Sequence, residues 1–399
     1  MKRYDKYKPT GSPWIGDIPE HWEVKRFRFV CNYKKGKNPK NLVFDFEDGM
    51  KPYLSMDYLR GTSNDVEYTF HEEGLVESKA GDLLLLWDGS NAGEFIISKD
   101  GYLSSTCALL SNKFESNSYF GYLCNVSEKY LKDMTNGMGI PHVDANVFKN
   151  LTAIIPPRPE QDAIVAYLDE ECGSIDKIIA TQEKRVALLN ELKQSVISEA
   201  VIRGINPDAP LRESGIEWIG KIPAHWEVMP FKRSMKIYNG ADYKHIEVEE
   251  DGYPVIGSGG TFAYASEYMY DGEALLLGRK GTIDKPLYYN GKFWTVDTMF
   301  YSTPRKNTYC KYMYYQSINF PFERYSTATA LPSMTSRDLM HNNICLPPLE
   351  EQKGIVDYIE TKVKPIDQMI GKATREIELL REYKQSIITE AVTGKIKVC

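Results

Sequence analysis

Two stretches of this chain place apolar residues at alternating steps of four and three. The first series is Ile175, Ile179, Gln182, Val186, Leu189, Lys193, Val196 and Ala200; the second is Ile366, Ile370, Ala373, Ile377, Leu380, Lys384, Ile387 and Ala391. That spacing keeps one face of an α-helix apolar and leaves a seam for a partner helix. Ile178, Leu188, Leu192 and Ile197 widen the first face, and Met369, Leu379, Tyr383 and Ile388 the second, which predicts a broad buried surface on each. Pro156-Pro157 and Pro347-Pro348 open the two blocks. Glu160 and Glu351 suit a first helical turn, and Gly204 and Gly394 suit the C-terminal ends. Gly173 and Pro365 predict a break between a short helix and a long one. Residues 174–203 make about 30 residues of continuous helix, roughly 45 Å.

The helical blocks belong to a larger duplication. Residues 14–24 return as residues 218–228 with nine of eleven positions identical, each copy holding an I-P-x-H-W-E-V box. Between box and helix lie two long segments that resemble each other only in patches. A chain built as constant, variable, constant, variable presents two different surfaces on one scaffold. The variable segments read as strand-rich, with apolar runs at 81–87, 94–98 and 272–277 bounded by Gly and Asp, and short helices near 119–133 and 310–317. The fold class expected is α/β (α+β) with mixed sheets. Two globular domains, 1–155 and 205–345, alternate with helical spacers, 156–204 and 346–399. If the two seams pair, the spacers form an antiparallel coiled coil with an internal pseudo-two-fold; two independent tandem modules are the alternative.

Composition narrows the chemistry. With 399 residues, 42% of them hydrophobic, the chain can bury real cores, and its net charge of −6 argues against a protein that simply coats nucleic acid. The distribution is uneven, because residues 24–44 hold Lys25, Arg26, Arg28, Lys34, Lys35, Lys37 and Lys40 and no acid. The matching stretch carries Lys232, Arg233 and Lys236. Such a run suits either phosphate neutralisation or a solvated face. The seven cysteines show no C-x-x-C pair, so neither a zinc site nor a disulfide framework is expected, and a reducing cytoplasm fits. The sequence shows no secretory h-region and no membrane span.

Catalytic motifs are lacking: there is no G-x-x-x-x-G-K-[ST] loop, no H-E-x-x-H and no G-x-S-x-G. Residues 257–261 are glycine-rich but lack dinucleotide-binding spacing and read as a flexible turn. His21 and His225, inside the duplicated box, read as packing residues, and Glu23 and Glu227 as sharing that role. The segments after the first apolar strands are more informative. The segment 86–91, with Trp87, Ser90 and Asn91, corresponds to the segment 277–282, with Arg279, Lys280 and Thr282, so equivalent segments hold unlike chemistry. Ser90 and Asn91 suit base edges, and Arg279 and Lys280 suit guanine or phosphate; exposed hairpin turns are the alternative. Ser55, Tyr58 and Ser258 are weighed in the same way. The glycine-bearing loop 136–142, with His142, and the loop 329–333, with Ser333, precede the helical blocks.

Taken together, the I-P-x-H-W box, the variable segment, P-P-x-x-E-Q-x-x-I-V and a helix ending in K-Q-S-[VI]-I-x-E-A-V, all present twice, resemble the DNA specificity subunit of type I restriction-modification systems. Asp176, Lys193, Ser195, Glu199 and Ala200 match the first conserved region, and Asp367, Lys384, Ser386, Glu390 and Ala391 the second. Arg203 departs from Gly394 at the helix end. The resemblance implies that each variable segment is a target recognition domain reading one half of a bipartite double-stranded DNA sequence. It implies no active site and no cofactor in this chain. S-adenosylmethionine would be held by modification subunits, two per complex, that methylate adenine. ATP and Mg would belong to a restriction subunit that translocates and cleaves. The alternative from another class is a self-contained DNA methyltransferase or nuclease with an unrecognised site.

Overall fold

The computed structural model describes residues 2–63, 65–114, 116–137, 139–324 and 332–398. They form two compact units, residues 1–181 with 376–399 and residues 182–375.

In the first unit an antiparallel sheet runs Cys31–Lys35, Cys107–Asn112, Leu83–Leu86, Phe95–Ile97. Its central strand is the leucine run, with Leu84, Leu85 and Leu86 all buried. A smaller sheet pairs Lys51–Leu54 with Gly101–Leu103 in parallel. The second unit repeats the plan in one larger sheet. Met235–Asn239, Met299–Pro304, Tyr270–Gly278 and Leu287–Thr295 follow in the same order, and Tyr253–Gly257 then adds in parallel. The expected short helices stand at Asn117–Asp133 and Cys310–Ser317. Residues 258–259 turn the hairpin between Tyr253–Gly257 and Gly260–Ala265, as the glycines suggest.

Each helical block is a single helix, Arg158–Arg203 of 46 residues and Leu349–Val392 of 44. The break expected at Gly173 and Pro365 is absent. Pro365 is exposed and lies between buried Val363 and Ile366, and the residue whose carbonyl its ring cannot bond, Thr361, is exposed as well. At 1.5 Å per residue the first helix is about 69 Å long, well beyond the 45 Å expected.

The seams are buried at half of the positions read: Ile175, Ile179, Ala200, Ile366, Ala373, Ile377, Ile387 and Ala391 are buried, and Gln182, Val186, Leu189, Lys193, Val196, Ile370, Leu380 and Lys384 are half-buried. In the first unit Lys384 Nζ lies 2.7 Å from Asp176, and in the second Lys193 Nζ lies 2.7 Å from Asp367. Within each unit the helices run antiparallel. In the second, for example, 193 meets 367 while the Cβ position of Gly354 lies 3.9 Å from Ile205. The breadth of the face was overestimated. Ile197 and Ile388 are buried, but Ile178, Leu188, Leu192, Met369, Leu379 and Tyr383 are 37–55% exposed, because a two-helix contact covers only a narrow stripe.

The duplicated box is a latch. Trp22, fully buried, donates its indole N–H to Glu160 at 2.9 Å, and His21 Nε2 lies 2.6 Å from the same carboxylate. Trp226 and His225 meet Glu351 at 3.0 and 2.8 Å. The carboxylate that completes the latch therefore comes from the helix; Glu23 and Glu227 are exposed on the following strands. Behind each latch sits a glycine at the end of the other long helix. Gly394 (φ +69°) has its Cβ position 2.9 Å from Trp22, and Gly204 (φ +74°) has its own 3.2 Å from Trp226. Tyr119 and Tyr312 close the same ends, reaching Val392 O and Val201 O at 3.4 and 3.3 Å. Among the described residues no helix is long and apolar enough to cross a membrane.

Burial raises the Glu160 carboxyl pKa, but hydrogen bonds from Trp22, His21 and Tyr4 outweigh it and leave the group below its ordinary 4.5. The latch therefore stabilises fully above pH 4.5 and loses this contribution as pH falls below it. Glu160→Ala, which leaves the buried indole N–H unpaired, is expected to cost about 1–3 kcal/mol. Urea unfolding checks this, and the variant's stability should fall less steeply between pH 5 and pH 3 than the parent's, a window set by the depressed carboxyl.

Candidate nucleic-acid interface

At the end of the leucine strand the backbone is fixed from two sides. Trp87 and Asp88 N–H donate to Thr106 O at 2.7 and 3.2 Å, Gly89 N–H to Pro141 O at 2.9 Å, and Val143 N–H to Trp87 O at 2.9 Å. The second unit repeats the frame bond for bond. Arg279 and Lys280 N–H donate to Thr298 O at 2.8 and 3.3 Å, Gly281 N–H to Pro332 O at 2.9 Å, and Met334 N–H to Arg279 O at 2.9 Å. Asp88 is bridged to His142 and Lys280 to Ser333. The two frames thus hold unlike side chains in equivalent places: Trp87, Asp88 and His142 in one, Arg279, Lys280 and Ser333 in the other.

A glycine in each unit makes the frame possible. A Cβ on Gly36 would lie 2.1 Å from Ser104 O, and one on Gly240 would lie 2.0 Å from Val296 O. Both glycines follow the first strand of their sheet, and their N–H groups donate to Cys107 O and Met299 O at 2.8 and 3.0 Å. Nearby, Asn38 Oδ1 accepts from Tyr53 OH and from Ser105 N–H, each at 2.9 Å. None of these supports was singled out from the sequence. A glycine needed for close backbone approach looks like any other until the neighbouring strand is placed.

Around Trp87 the chemistry is mixed. The indole is buried and stacks on Tyr33 at 4.5 Å, while Lys35 Nζ sits 5.5 Å from its ring and 2.9 Å from Asp88. Ser90 is exposed and Asn91 half-buried in the tight turn that follows. In the second unit Arg279 donates to Asp297 O at 3.3 Å and lies 5.9 Å from the Phe300 ring, so only part of its fork is committed. Lys280 is exposed and Thr282 half-buried.

The basic run does not gather in one place. Lys34 and Lys35 lie at the frame end of Cys31–Lys35, roughly 13 Å along the strand from Cys31. Lys25 and Arg26 instead lie on Glu23–Arg26, paired with Thr152–Ile155 at the foot of the first long helix. Lys25 is 2.9 Å from Glu23, and Arg26 donates to Asn150 O at 2.9 Å. Arg28 lies 5.0 Å from the Phe29 ring. Lys232 Nζ is 3.4 Å from His341, and Arg233 is exposed beside it. Lys236 lies 4.7 Å from the Tyr238 ring; its hydrogen bond holds that phenol below the usual range. Ser55 caps the helix Met56–Arg60 through Tyr58 N–H at 3.2 Å, and Lys99 sits 4.3 Å from the Tyr58 ring, so both residues have local work. Ser258 stands in the hairpin turn, away from the second frame in the chain. Of the loops noted before the helices, Met138 and residues 329–331 lie outside the described residues.

Among the described residues no group of three His, Cys, Asp or Glu side chains is placed to hold a metal ion. Burial pushes the Cys31, Cys310 and Cys345 thiols up to about 12, so each is held as an inert apolar side chain.

Comparison with known proteins places these features. Residues 19–189 and 223–379 each match the type I restriction modification DNA specificity domain. The MjaVIII type I restriction enzyme specificity subunit of Methanocaldococcus jannaschii is 30% identical over 96% of this chain and 94% of its own length. The EcoBI specificity subunit of Escherichia coli is 23% identical over 47% of this chain and 42% of its own. A chain from a solved structure concerned with complex assembly and conformational transition of the type I restriction-modification system shares the fold. Its TM-score is 0.65 at 16% identity, covering 95% of this chain and 99% of that one. With two family domains, two paired long helices and two frames of unlike chemistry, the chain belongs to the type I restriction-modification DNA specificity family and is a non-catalytic specificity subunit.

Proposed function

We propose that residues 1–155 and 205–345 are two target recognition domains, each reading one half of a bipartite DNA sequence, and that 156–204 and 346–399 hold modification subunits. The observation that carries this reading is the repeated backbone frame. A frame conserved bond for bond fixes where side chains project, and unlike side chains on it then read unlike base edges. Direct contacts come from Ser90, Asn91 and His142 in the first domain, where the buried Trp87 supports Tyr33 and Lys35 rather than meeting a base, and from Arg279, Lys280, Thr282 and Ser333 in the second. Ser55 and Tyr58, at the start of the helix Met56–Arg60, and Ser258, in its hairpin turn, would add contacts outside the frames. Lys34 and Lys35 position phosphates beside the first frame; Lys25, Arg26 and Arg28, and Lys232, Arg233 and Lys236, do so at the feet of the two domains.

The long helices supply the assembly surface. Ile178, Leu379 and Tyr383 in the first unit correspond to Met369, Leu188 and Leu192 in the second, and all six are exposed apolar side chains. Equivalent patches fit two copies of one partner, the modification subunit, which holds S-adenosylmethionine. A restriction subunit with ATP and Mg completes the complex.

Exchanging residues 24–155 for those of a relative with a different target is expected to change one half of the methylated sequence and leave the other intact. Methylome sequencing reads the result, and two unchanged halves would refute the assignment. Gly240→Ala is expected to cost about 1–3 kcal/mol through overpacking against Val296 and to slow methylation at sites that need the second half. Denaturant unfolding and in vitro methylation of the same preparation check both effects.

A further inference from the structure

The duplication supplies an internal comparison away from the frames. Tyr119 and Tyr312 are equivalent, donating to Ile154 O and Cys345 O at 3.2 and 3.3 Å. Gly121 therefore stands where the second unit has Tyr314, and Ser118 where it has Lys311. Strand register pairs Ile97 with Leu83 and Tyr288 with Leu275, so Ile97 and Tyr288 also correspond. In the second unit these large side chains fill the space beside the long helix. The Tyr288 and Tyr314 rings are 6.2 Å apart, Lys311 Nζ is 5.5 Å from the Tyr288 ring, and Lys311 is paired with Glu360.

In the first unit the small residues leave a groove of about 830 Å³. Ile96, Phe120 and Ile388 give it apolar walls, and Asp82, Asp169 and Asp176 line it together with Lys384. Lys384 is paired with Asp176 at 2.7 Å; Asp82 accepts from Ser78 OH and Lys79 N–H, and Asp169 from Tyr122 OH, so among the described residues these two carboxylates have neutral donors and no paired cation. Asn125 also lines the groove, and its buried Oδ1 has no hydrogen-bond partner. The wall thus asks for apolar contact, positive charge and an N–H donor at once.

We propose that this groove receives a segment of one modification subunit, carrying a Lys or Arg among aliphatic side chains, and that the second unit, with its counterpart filled, holds the other modification subunit without that insertion. The two copies are then bound unequally, although the exposed helix patches are equivalent. The inference rests on the reading that modification subunits dock on the long helices.

Titrating the whole chain with modification subunit, followed by native mass spectrometry and calorimetry, should give two unequal binding steps. Gly121→Tyr installs the filling residue of the second unit at a place where an added Cβ meets nothing within 4 Å. It should weaken the tighter step at least about tenfold and leave the weaker step unchanged. Asp169→Lys reverses charge on an exposed helix position and should weaken the same step without adding bulk. Two equal steps in the parent chain, or unchanged steps in both variants, would overturn the proposal. A parent chain that binds no modification subunit would instead overturn the docking reading beneath it.

Discussion

A long helix with an apolar seam is unstable alone in water, and in both units the surface that covers the seam belongs to the other long helix. Burying a side chain such as Ile175 or Ile377 is worth about 1.5–3 kcal/mol, whereas the partly exposed Asp176–Lys384 and Asp367–Lys193 pairs are worth about 0–1 kcal/mol each. Burial therefore supplies the stability, and the ion pairs select register and direction. Lys193 and Lys384 sit within the apolar series because their stems lie along the seam while their ammonium groups reach the facing aspartate. The latches extend the same logic to the helix ends. Trp22 and Trp226 hold the Glu at the start of one helix and pack against the glycine that ends the other.

On this scaffold, function is a matter of what is left free to vary. Hydrogen bonds from backbone N–H to backbone C=O set the frames at 87–89 and 279–281, and such bonds are indifferent to side-chain identity. Side-chain chemistry can therefore differ between Trp87 and Arg279, or Asp88 and Lys280, without altering the support beneath them. Gly36 and Gly240 are the exception, since no other residue fits against the carbonyls they meet. A specificity subunit needs this division between fixed geometry and interchangeable chemistry.

The helices were the most legible part of the sequence, because a seam of thirty residues repeats its signal at every turn. Their extent was not. Pro365 and Gly173 look like punctuation, yet tertiary packing on both sides of Pro365 carries the helix through it. The exposed positions Leu188, Leu192, Leu379 and Tyr383 were misread as buried because periodicity records apolar character and cannot say which partner covers it. The latch was half visible: the duplicated His and Trp marked a structural box, but Glu160 and Glu351 lie more than a hundred residues away and only the fold brings them in. The frames were legible as corresponding segments of unlike chemistry. Their supports, Thr106, Thr298 and the two glycines, were not, since a backbone carbonyl used as an acceptor leaves no trace in residue type.

The central claim is that one frame position governs one half of the target. Lys280→Asp tests it most directly, because Lys280 is exposed and the substitution installs the residue found at the equivalent Asp88 without touching the frame. Methylation of a randomised DNA library by the assembled complex should then show altered preference at bases in one half-site and an unchanged sequence in the other. A recognition sequence identical to the parent's in both halves, at the parent's rate, would contradict the account.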